Sequence, residues 1–436
     1  MEFIQILSQI IILTTLFLLG GPILLSNNKS FLDKNFVDQL IINLVIQINF
    51  ILILTFFNFS LKVITSIYFL LFLFLFFLNA KIIMRFFLSN KNYTFVLLIL
   101  FFILSIDIAF SLVLDWDAQI VWFYKTLNFY NYGTIKDLTN LPVGDGYSYP
   151  HLGSLLWAFF WKISLIADEY SGRLFYVLIY LIALTSIVEK LKINFFSKII
   201  FLVFLLNISY YYNFFGGSQD ILIFCFIAFV SFYFYEIFEK KLKKLPILTL
   251  LIIPLIFNCL IWTKDEGVIY SFILLFVLTF FSKIKLNQKI FVISATILFF
   301  FIRIIIYKFY NLDLTINSCC YDYSLENILK NIFSKKTFIF FKYFLLFGFF
   351  KNYFFIFGVI FLLISFYNQG YNKKTTYIFV FYLLSFGFLF LAHISYKDSI
   401  DMDYHMKNNM HRLVFAISPF FLSIFVHYYN SLKNKI

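Results

Sequence analysis

Long apolar stretches without a charged side chain are the dominant pattern along this chain. Asp, Glu, Lys and Arg are absent from residues 3–28, 39–61, 63–80, 245–263 and 375–396. A helix crosses the roughly 30 Å hydrocarbon layer of a membrane with about 20 consecutive apolar residues. Continuous runs of this kind exclude a membrane β-barrel, whose strands alternate apolar and polar residues. The pattern therefore predicts an all-α polytopic membrane protein.

The apolar runs predict about thirteen transmembrane helices. We expect them at residues 4–25, 37–58, 62–79, 93–114, 173–188, 199–212, 220–238, 246–262, 268–282, 288–307, 352–368, 376–393 and 411–428. The first has neither a basic leader nor a small-residue cleavage site, so we interpret it as a retained span. We divide the chain into N-terminal transmembrane hairpins at 1–92, a core at 93–307 with an outer loop at 115–172, and a C-terminal transmembrane region at 308–436. The last region has outer loops at 308–336 and 394–410.

The basic residues indicate how these helices are oriented. If the loop after residue 114 lies outside the cell, every predicted inner loop is basic, as the positive-inside rule requires. The inner cations are Lys29 and Lys34; Lys81, Arg85 and Lys91; Lys190, Lys192 and Lys198; Lys240, Lys241, Lys243 and Lys244; Lys283, Lys285 and Lys289; Lys373 and Lys374; and Lys433 and Lys435. The sequence thus predicts a multi-pass protein of the plasma (inner) membrane.

The acidic residues concentrate on the opposite side. Fifteen of the 22 are predicted to be outer: Asp115, Asp117, Asp137, Asp145, Asp168, Glu169, Asp220, Asp265, Glu266, Asp313, Asp322, Glu326, Asp398, Asp401 and Asp403. Polar chemistry is therefore expected on the extracytoplasmic face. This orientation requires residues 151–167 and 337–349 to lie along the membrane surface without crossing it. Trp157, Trp161 and Lys162 suit the headgroup zone.

Composition narrows the function classes. Hydrophobic residues make up 62% of the 436 positions and charged residues 13%, with a mean hydropathy of +0.90. A soluble domain needs about a quarter of its residues charged. The net charge of +13 comes from lysines clustered between apolar runs, so we exclude a nucleic-acid partner. The four cysteines have no metal-binding spacing: Cys225 and Cys259 lie in apolar runs, and Cys319 and Cys320 are neighbours that rarely pair.

The outer loop opens with the densest polar cluster. Asp115-Trp116-Asp117-Ala118 closes a span, and Trp122 and Lys125 follow at helical spacing. This arrangement brings carboxylates, an aromatic ring and an ammonium group together. The alternative interpretation is ordinary decoration of a helix end by interfacial tryptophans and solvated acids.

Several segments resemble GT-C-fold glycosyltransferases, the integral membrane enzymes related to protein O-mannosyltransferases and lipid A aminoarabinose transferases. Residues 115–125, DWDAQIVWFYK, are similar to their first-loop signature, and residues 147–152, YSYPHL, to the Tyr-Pro-x-Leu element that follows it. Residues 262–267, WTKDEG, resemble a Lys-Asn-Glu-Gly element in which Asp265 replaces Asn. His411-Arg412-Leu413 with Pro419 resembles the opening of a late span. The resemblance covers about residues 93–270 and implies a GT-C-like fold whose first outer loop bears interfacial helices.

The resemblance also implies a mechanism. Such enzymes take a sugar from a polyprenyl-phosphate donor and pass it to a glycan, lipid or protein acceptor. Asp117 matches the acid that acts as general base, and Asp115 is its catalytic neighbour. A positioned base contributes about 10²–10⁴-fold, and carboxylates can stabilise oxocarbenium character at the anomeric carbon. The remaining candidate substrate-binding residues are Trp122, Lys125, Tyr149, His151, Arg173, Asp220, Lys264, Glu266 and Arg412.

The leaving phosphate gains negative charge, which cationic side chains would stabilise. The outer candidates are Lys125, Arg173, Lys264 and Arg412. Asp265 and Glu266 are alternatively structural partners of Lys264. Asp107 lies inside the fourth predicted span and is a functional candidate unless that span ends early. Asp220 either lines the cavity or caps its helix.

Metal binding and other function classes stay open as alternatives. Asp115 with Asp117, or His393, His405 and His411 with Asp401 and Asp403, could hold a divalent cation, although neither spacing specifies a site. A glycan polymerase or ligase that uses lipid-diphosphate oligosaccharides usually has its large loop late in the chain, whereas here the early loop is longest. A lipid-linked glycan transporter would favour inverted repeats and charges at the midplane.

Overall fold

A computed structural model describes most of the chain. It covers residues 4–13, 35–111, 113–142, 144–210, 215–312, 321–369, 375–397 and 401–433. Several sequence predictions lie outside these ranges: most of the span at 4–25, part of the loop at 308–336, and Lys29, Lys34, Asp313, Cys319, Cys320, Lys373, Lys374, Asp398 and Lys435. The side chains of Arg85, Asp145 and Lys433 are likewise outside the description.

Within these ranges the chain forms helices and no β-strand. The α-helices are α1 (Ile4–Leu13), α2 (Phe36–Thr55), α3 (Leu61–Ser89), α4 (Lys91–Ser111), α5 (Phe123–Tyr130), α6 (Leu152–Lys162), α7 (Tyr170–Glu189), α8 (Phe195–Tyr210), α9 (Asp220–Glu239), α10 (Ile247–Thr263), α11 (Asp265–Phe281), α12 (Leu286–Phe309), α13 (Leu325–Ile332), α14 (Lys335–Tyr343), α15 (Tyr353–Gln369), α16 (Thr376–Ile394), α17 (Met402–Ile417) and α18 (Pro419–Lys433). Two π-helical segments, Ala118–Trp122 and Phe344–Phe350, precede α5 and follow α14, and two 3-10 turns, Ile135–Asn140 and Gly144–Ser148, precede α6.

Seven helices of the described part are long and apolar enough to cross a membrane: α2, α3, α4, α7, α9, α12 and α16. The number rises to nine if each of two bent helix pairs counts as one span. The predicted all-α polytopic membrane protein is confirmed, whereas thirteen spans are not. The predicted spans at 199–212, 246–262 and 268–282 correspond to α8, α10 and α11, which have 16 or 17 residues, fewer than the usual 20.

The two bent pairs lie in the C-terminal region. The segment Lys335–Phe350 is bent by 85° from Tyr353–Ile364, a geometry that fits either a broken span or a re-entrant loop, so the non-crossing course of residues 337–349 stays a prediction. The second bend, of 43°, separates Met402–Ile417 from Pro419–Ser431. The helix that contains the start of the predicted span at 411–428 begins earlier, at Met402, where Asp401 caps it. Its carboxylate accepts a hydrogen bond from the Tyr404 amide at 3.2 Å, which stabilises a polar first turn.

Contacts between chain segments distinguish two ends of the helix bundle. At one end the amide of Lys285 donates to the carbonyl of Lys243 at 2.9 Å. There Lys190 also pairs with Glu236 at 2.8 Å, and Asn430 donates to the carbonyl of Lys190 at 2.7 Å. We call this the lysine-rich end and the opposite one the acidic end. The predicted inner loops after α7, α9 and α11 and the chain around Asn430 therefore lie together.

Helix α6 stays at the acidic end. Its 11 residues span about 16 Å, too little to cross a membrane. The indoles of Trp157 and Trp161 donate to the carbonyls of Glu169 and Ala167, at 3.1 and 2.8 Å, so the chain turns back before α7. The prediction that these tryptophans face the headgroups is wrong, because Trp157 is 0% exposed and Trp161 8%. Helices α5 and α7 cover them, as Trp157 lies against Tyr176 and Trp161 stacks on Tyr130.

Candidate functional site

A close backbone contact positions the first-loop acids. The amide of Asp115 donates to the carbonyl of Gly216 at 2.9 Å, in the turn that leads into α9. A Cβ atom on Gly216 would lie 2.9 Å from the Asp115 carboxylate oxygen, so only glycine allows this approach. Gly217 has φ of +92°, which a side chain would strain. The glycine pair thus fixes where Asp115 lies relative to α9.

Arg412 of α17 connects Asp117, the second acid of the first loop, to α9. Its Nη1 lies 2.7 Å from Oδ2 of Asp117, although 295 positions separate the two residues. Nη2 donates to the side-chain carbonyl of Asn409, one turn earlier in α17. Nε lies 3.8 Å from Oδ2 of Asp220, beyond hydrogen-bond distance. Arg412 is therefore shared between the outer loop and α9.

The junction between α10 and α11 supplies the second cation. Nζ of Lys264 lies 3.0 Å from Oδ1 of Asp220 and 3.7 Å from Oε1 of Glu266. The Ser218 hydroxyl donates to the other oxygen of Asp220 at 2.9 Å. Asp220 is 1% exposed and Lys264 6%, so these charges are removed from solvent. We call Asp115, Asp117, Asp220, Lys264, Glu266 and Arg412 the charge network.

The charge network and the neighbouring Tyr270 keep unused hydrogen-bonding capacity. Oε2 of Glu266, the hydroxyl of Tyr270 and Nε of Arg412 are buried and have no hydrogen-bond partner among the described residues. Buried polar atoms are nearly always paired. An acceptor, a hydroxyl and a cationic donor are therefore available to a polar ligand.

Asp115 differs from the other carboxylates of the network. No hydrogen bond or ion pair to its carboxylate is formed within the described part of the chain, while Asp117 and Asp220 each face a cation. Burial raises the pKa of the Asp115 carboxyl to about 6, and the positive charge of Arg412 offsets part of that effect. A carboxyl group with this pKa exchanges protons near neutral pH.

Lys125 and His151 form a separate buried group. Nζ of Lys125 donates to the carbonyls of Tyr147, at 3.1 Å, and Tyr149, and lies 5.6 Å from the centre of the Trp122 ring. Burial lowers the pKa of Lys125 to about 7 and that of His151 to about 3. Nε2 of His151 lies 3.1 Å from the Thr55 hydroxyl. These residues anchor the loop after α5, outside the charge network.

Arg173 also lies outside the network. Its guanidinium binds both carboxylate oxygens of Glu169, at 2.8 and 3.1 Å. Nη1 donates to the carbonyls of Val113 and Phe215, at 3.1 and 3.0 Å. Arg173 thus fastens the two chain segments that carry Asp115 and Gly216, and four of its hydrogen bonds are committed to protein groups.

Sequence reasoning missed Arg303. It lies inside α12, and its Nη2 pairs with Asp265, while Nη1 donates to the carbonyl of Ile261 at 2.9 Å. Asp265 therefore neutralises Arg303, and Glu266 is the member of that acid pair near Lys264. The signal was present, because a lone arginine inside an apolar run is costly unless it has a partner.

The remaining candidates do not join the charge network. Asp107 is exposed on α4, one turn before the helix ends. His393 bonds the carbonyl of Leu389 at 2.6 Å, and His405 bonds the Tyr396 hydroxyl. Among the described residues, no three His, Cys, Asp or Glu side chains converge as metal ligands. Cys225 and Cys259 are buried free thiols.

Comparison with known proteins identifies no relative: no family model, no characterised protein and no solved structure matches the chain. The residues and their geometry are therefore the basis for a functional assignment.

Proposed function

We propose that this protein is a membrane glycosyltransferase that moves a sugar from a polyprenyl-phosphate donor to a glycan, lipid or protein acceptor. The observation that carries the proposal is the charge network. Its six side chains come from the first loop, α9, the α10–α11 junction and α17, and they meet at the acidic end around Asp115 and Asp117.

The energetic cost of the network favours a functional origin. Removing a charge from water costs several kcal/mol, and an apolar replacement for a buried ion pair is often neutral or stabilising. Here four carboxylates face two cations, so the pairing is incomplete. Perturbed and incompletely paired ionisable groups concentrate at sites of chemistry and binding.

Within this proposal, an acceptor hydroxyl attacks the anomeric carbon of the donor sugar. A new C–O bond forms, the bond to the carrier phosphate breaks, and the phosphate leaves with the bonding electrons. The proton of the hydroxyl passes to a carboxylate. The first-loop resemblance points to Asp117, but Asp117 is bound to Arg412. We assign the proton to Asp115, which has a pKa of about 6, and the positioning of the acceptor to Asp117.

The cations of the network would bind the carrier phosphate. Nε of Arg412 is buried and has no hydrogen-bond partner in the described part of the chain. A guanidinium N–H is a strong phosphate donor. Lys264 adds a second positive charge close to Asp220. Lys125 and Arg173 are left out of this assignment because protein groups already occupy their donors.

The experiment is a transfer assay with purified protein in nanodiscs and radiolabelled polyprenyl-phosphate sugars. Wild-type protein should release label from the lipid carrier, and Asp115→Asn and Asp117→Asn should each lower the rate at least 100-fold. Asp168→Asn is the matched control, since this exposed acid belongs to the same outer loop. Folding is checked by size-exclusion profile. Wild-type rates in both variants would remove the proposed chemistry.

The proposal places the reaction on the extracytoplasmic face of the plasma membrane. It rests on the lysine-rich end, because basic loops face the cytoplasm. Thr139 is exposed at the acidic end, so a Thr139→Cys variant should react with a membrane-impermeant maleimide from outside. If the Thr139→Cys variant reacts with the maleimide only after the membrane is opened, the proposed orientation is wrong.

A further inference from the structure

Three tyrosines form a stack beside the charge network. The rings of Tyr321 and Tyr323 lie 5.5 Å apart and 5° from parallel, and those of Tyr321 and Tyr396 lie 4.6 Å apart at 26°. Tyr396 is 3% exposed and Tyr323 56%. We call these residues the tyrosine stack; it has a buried base and one open face.

Backbone and side-chain bonds hold the tyrosine stack rigidly between two segments of the acidic end. Tyr321 and Tyr396 form an antiparallel bridge, and the amide of Asp322 donates to the carbonyl of Ser395 at 2.8 Å. Asn331 of α13 donates to the carbonyl of Ile394, also at 2.8 Å. The open face is thus presented in a fixed orientation, which lowers the entropy cost of binding.

A chain of hydrogen bonds joins the stack to the charge network. The hydroxyls of Tyr321 and Tyr396 lie 2.8 Å apart, and that of Tyr396 contacts Nε2 of His405. Nδ2 of Asn409 lies 3.1 Å from the same His405 nitrogen. Asn409 in turn accepts from Arg412, the partner of Asp117. One face of α17 therefore leads from the stack to the first-loop acids.

Electrostatics also place the stack close to the network. Burial, followed by the negative charge of Glu266, raises the pKa of the Tyr323 phenol. The Glu266 charge likewise acts on Tyr321 and Tyr396. The stack therefore borders the side of the network where Glu266 keeps an unpaired oxygen.

The exposed residues of helix α13 indicate where the tyrosine stack lies relative to the membrane surface. Leu325, Leu329 and Phe333 are 71%, 53% and 94% exposed and recur at intervals of four residues. An exposed apolar stripe on a short helix of this kind suits the membrane surface. Tyr323 lies two positions before this stripe, and a stripe lying on the membrane surface would hold its ring near the headgroups, where the sugar of a membrane-anchored glycan is found.

We propose that the tyrosine stack binds a pyranose ring on the open face of Tyr323. Sugar rings carry an apolar C–H face and a rim of hydroxyls, which an aromatic surface with adjacent polar groups complements. This inference rests on the proposed glycosyl transfer for the identity of the sugar, which belongs to the donor or to the acceptor. The binding itself is measurable without any reaction.

Binding is tested on nanodisc-embedded protein with an array of defined oligosaccharides, followed by calorimetry on the strongest binder. Tyr323→Ala should weaken binding roughly five- to tenfold, and Tyr323→Trp should retain it. Tyr404→Ala is the matched control, because Tyr404 is 70% exposed at the same end and does not belong to the stack. Binding to no oligosaccharide, or equal loss in Tyr323→Ala and Tyr404→Ala, would overturn the inference.

The transfer assay assigns the sugar. A raised KM for the acceptor alone in Tyr323→Ala places the acceptor on the stack, and a raised KM for the donor alone places the donor sugar there. Unchanged KM values for both contradict the inference while leaving the proposed transfer intact. Conversely, wild-type protein that binds glycans through Tyr323 but transfers none contradicts the proposed function and leaves the stack as a binding site.

Discussion

Acidification through pH 6 should switch off the proposed sugar transfer by protonating Asp115. A general base acts only when it is deprotonated, and burial raises the pKa of this carboxyl from the ordinary 3.8 to about 6. With that pKa, about nine-tenths of the molecules hold an ionised Asp115 at pH 7 and about one-tenth at pH 5. We therefore expect kcat/KM to fall about tenfold between pH 7 and pH 5.

Two variants separate this titration from other effects of acid. Asp115→Asn should leave a low residual rate that no longer depends on pH near 6. Arg412→Gln removes a positive charge that lowers the Asp115 pKa. In this variant the acidic limb of the plot of kcat/KM against pH should therefore move to higher pH. The position of the limb, and not the rate, is the readout, because Arg412 is also a candidate phosphate ligand.

The measurement is kcat/KM from pH 4.5 to 8 in nanodiscs, with the donor far below saturation, since this ratio reports the ionisation of the free enzyme. Protein held at each pH and returned to pH 7 must recover its activity. A limb near pH 4, or an unchanged limb in Asp115→Asn, would refute the assignment of the proton to Asp115.

Two further predictions concern stability. The Asp115 pKa is higher in the folded chain than in an unfolded one, so the carboxyl destabilises the fold as pH rises from about 3.8 to 6. Asp115→Asn should therefore raise the unfolding temperature at pH 7, by an equivalent of at most about 3 kcal/mol, and leave it nearly unchanged at pH 3. Equal unfolding temperatures of the two proteins at pH 7 would contradict a raised pKa of Asp115. Arg173→Lys should lose the two-pronged bond to Glu169 and the bonds to Val113 and Phe215, and this loss should lower the unfolding temperature by an equivalent of about 2–4 kcal/mol. Because the role of Arg173 is structural, the KM for the donor should stay within twofold. A large rise in KM with normal stability would instead identify Arg173 as a phosphate ligand.

The sequence predicted the features that depend on local patterns. The apolar runs at 37–58 and 93–114 became α2 and α4, because more than 20 consecutive, mostly apolar residues are enough for a membrane-spanning helix. The burial of Trp157 was not predictable in this way. Tryptophan is equally at home under headgroups and in a protein core, and only the packing of α6 against α5 and α7 decides between them.

The candidate site likewise has one part that local patterns predict and another part that they do not. Asp117, Asp220, Lys264, Glu266 and Arg412 were selected as outer polar residues, and the structure brings them together. Their pairing depends on contacts across up to 295 positions, which no local pattern encodes. The pair between Glu169 and Arg173 is local, four residues apart, whereas the bonds from Arg173 to the carbonyls of Val113 and Phe215 cross 60 and 42 positions and follow from no local pattern.

The distance in sequence between Asp117 and Arg412 also affects how the protein matures. During synthesis the first loop is made well before α17, because 295 positions separate Asp117 from Arg412. A nascent or truncated chain ending before α17 would hold its early helices in the bilayer with an acid pair and no arginine opposite. The charge network can therefore form only after α17 has been translated.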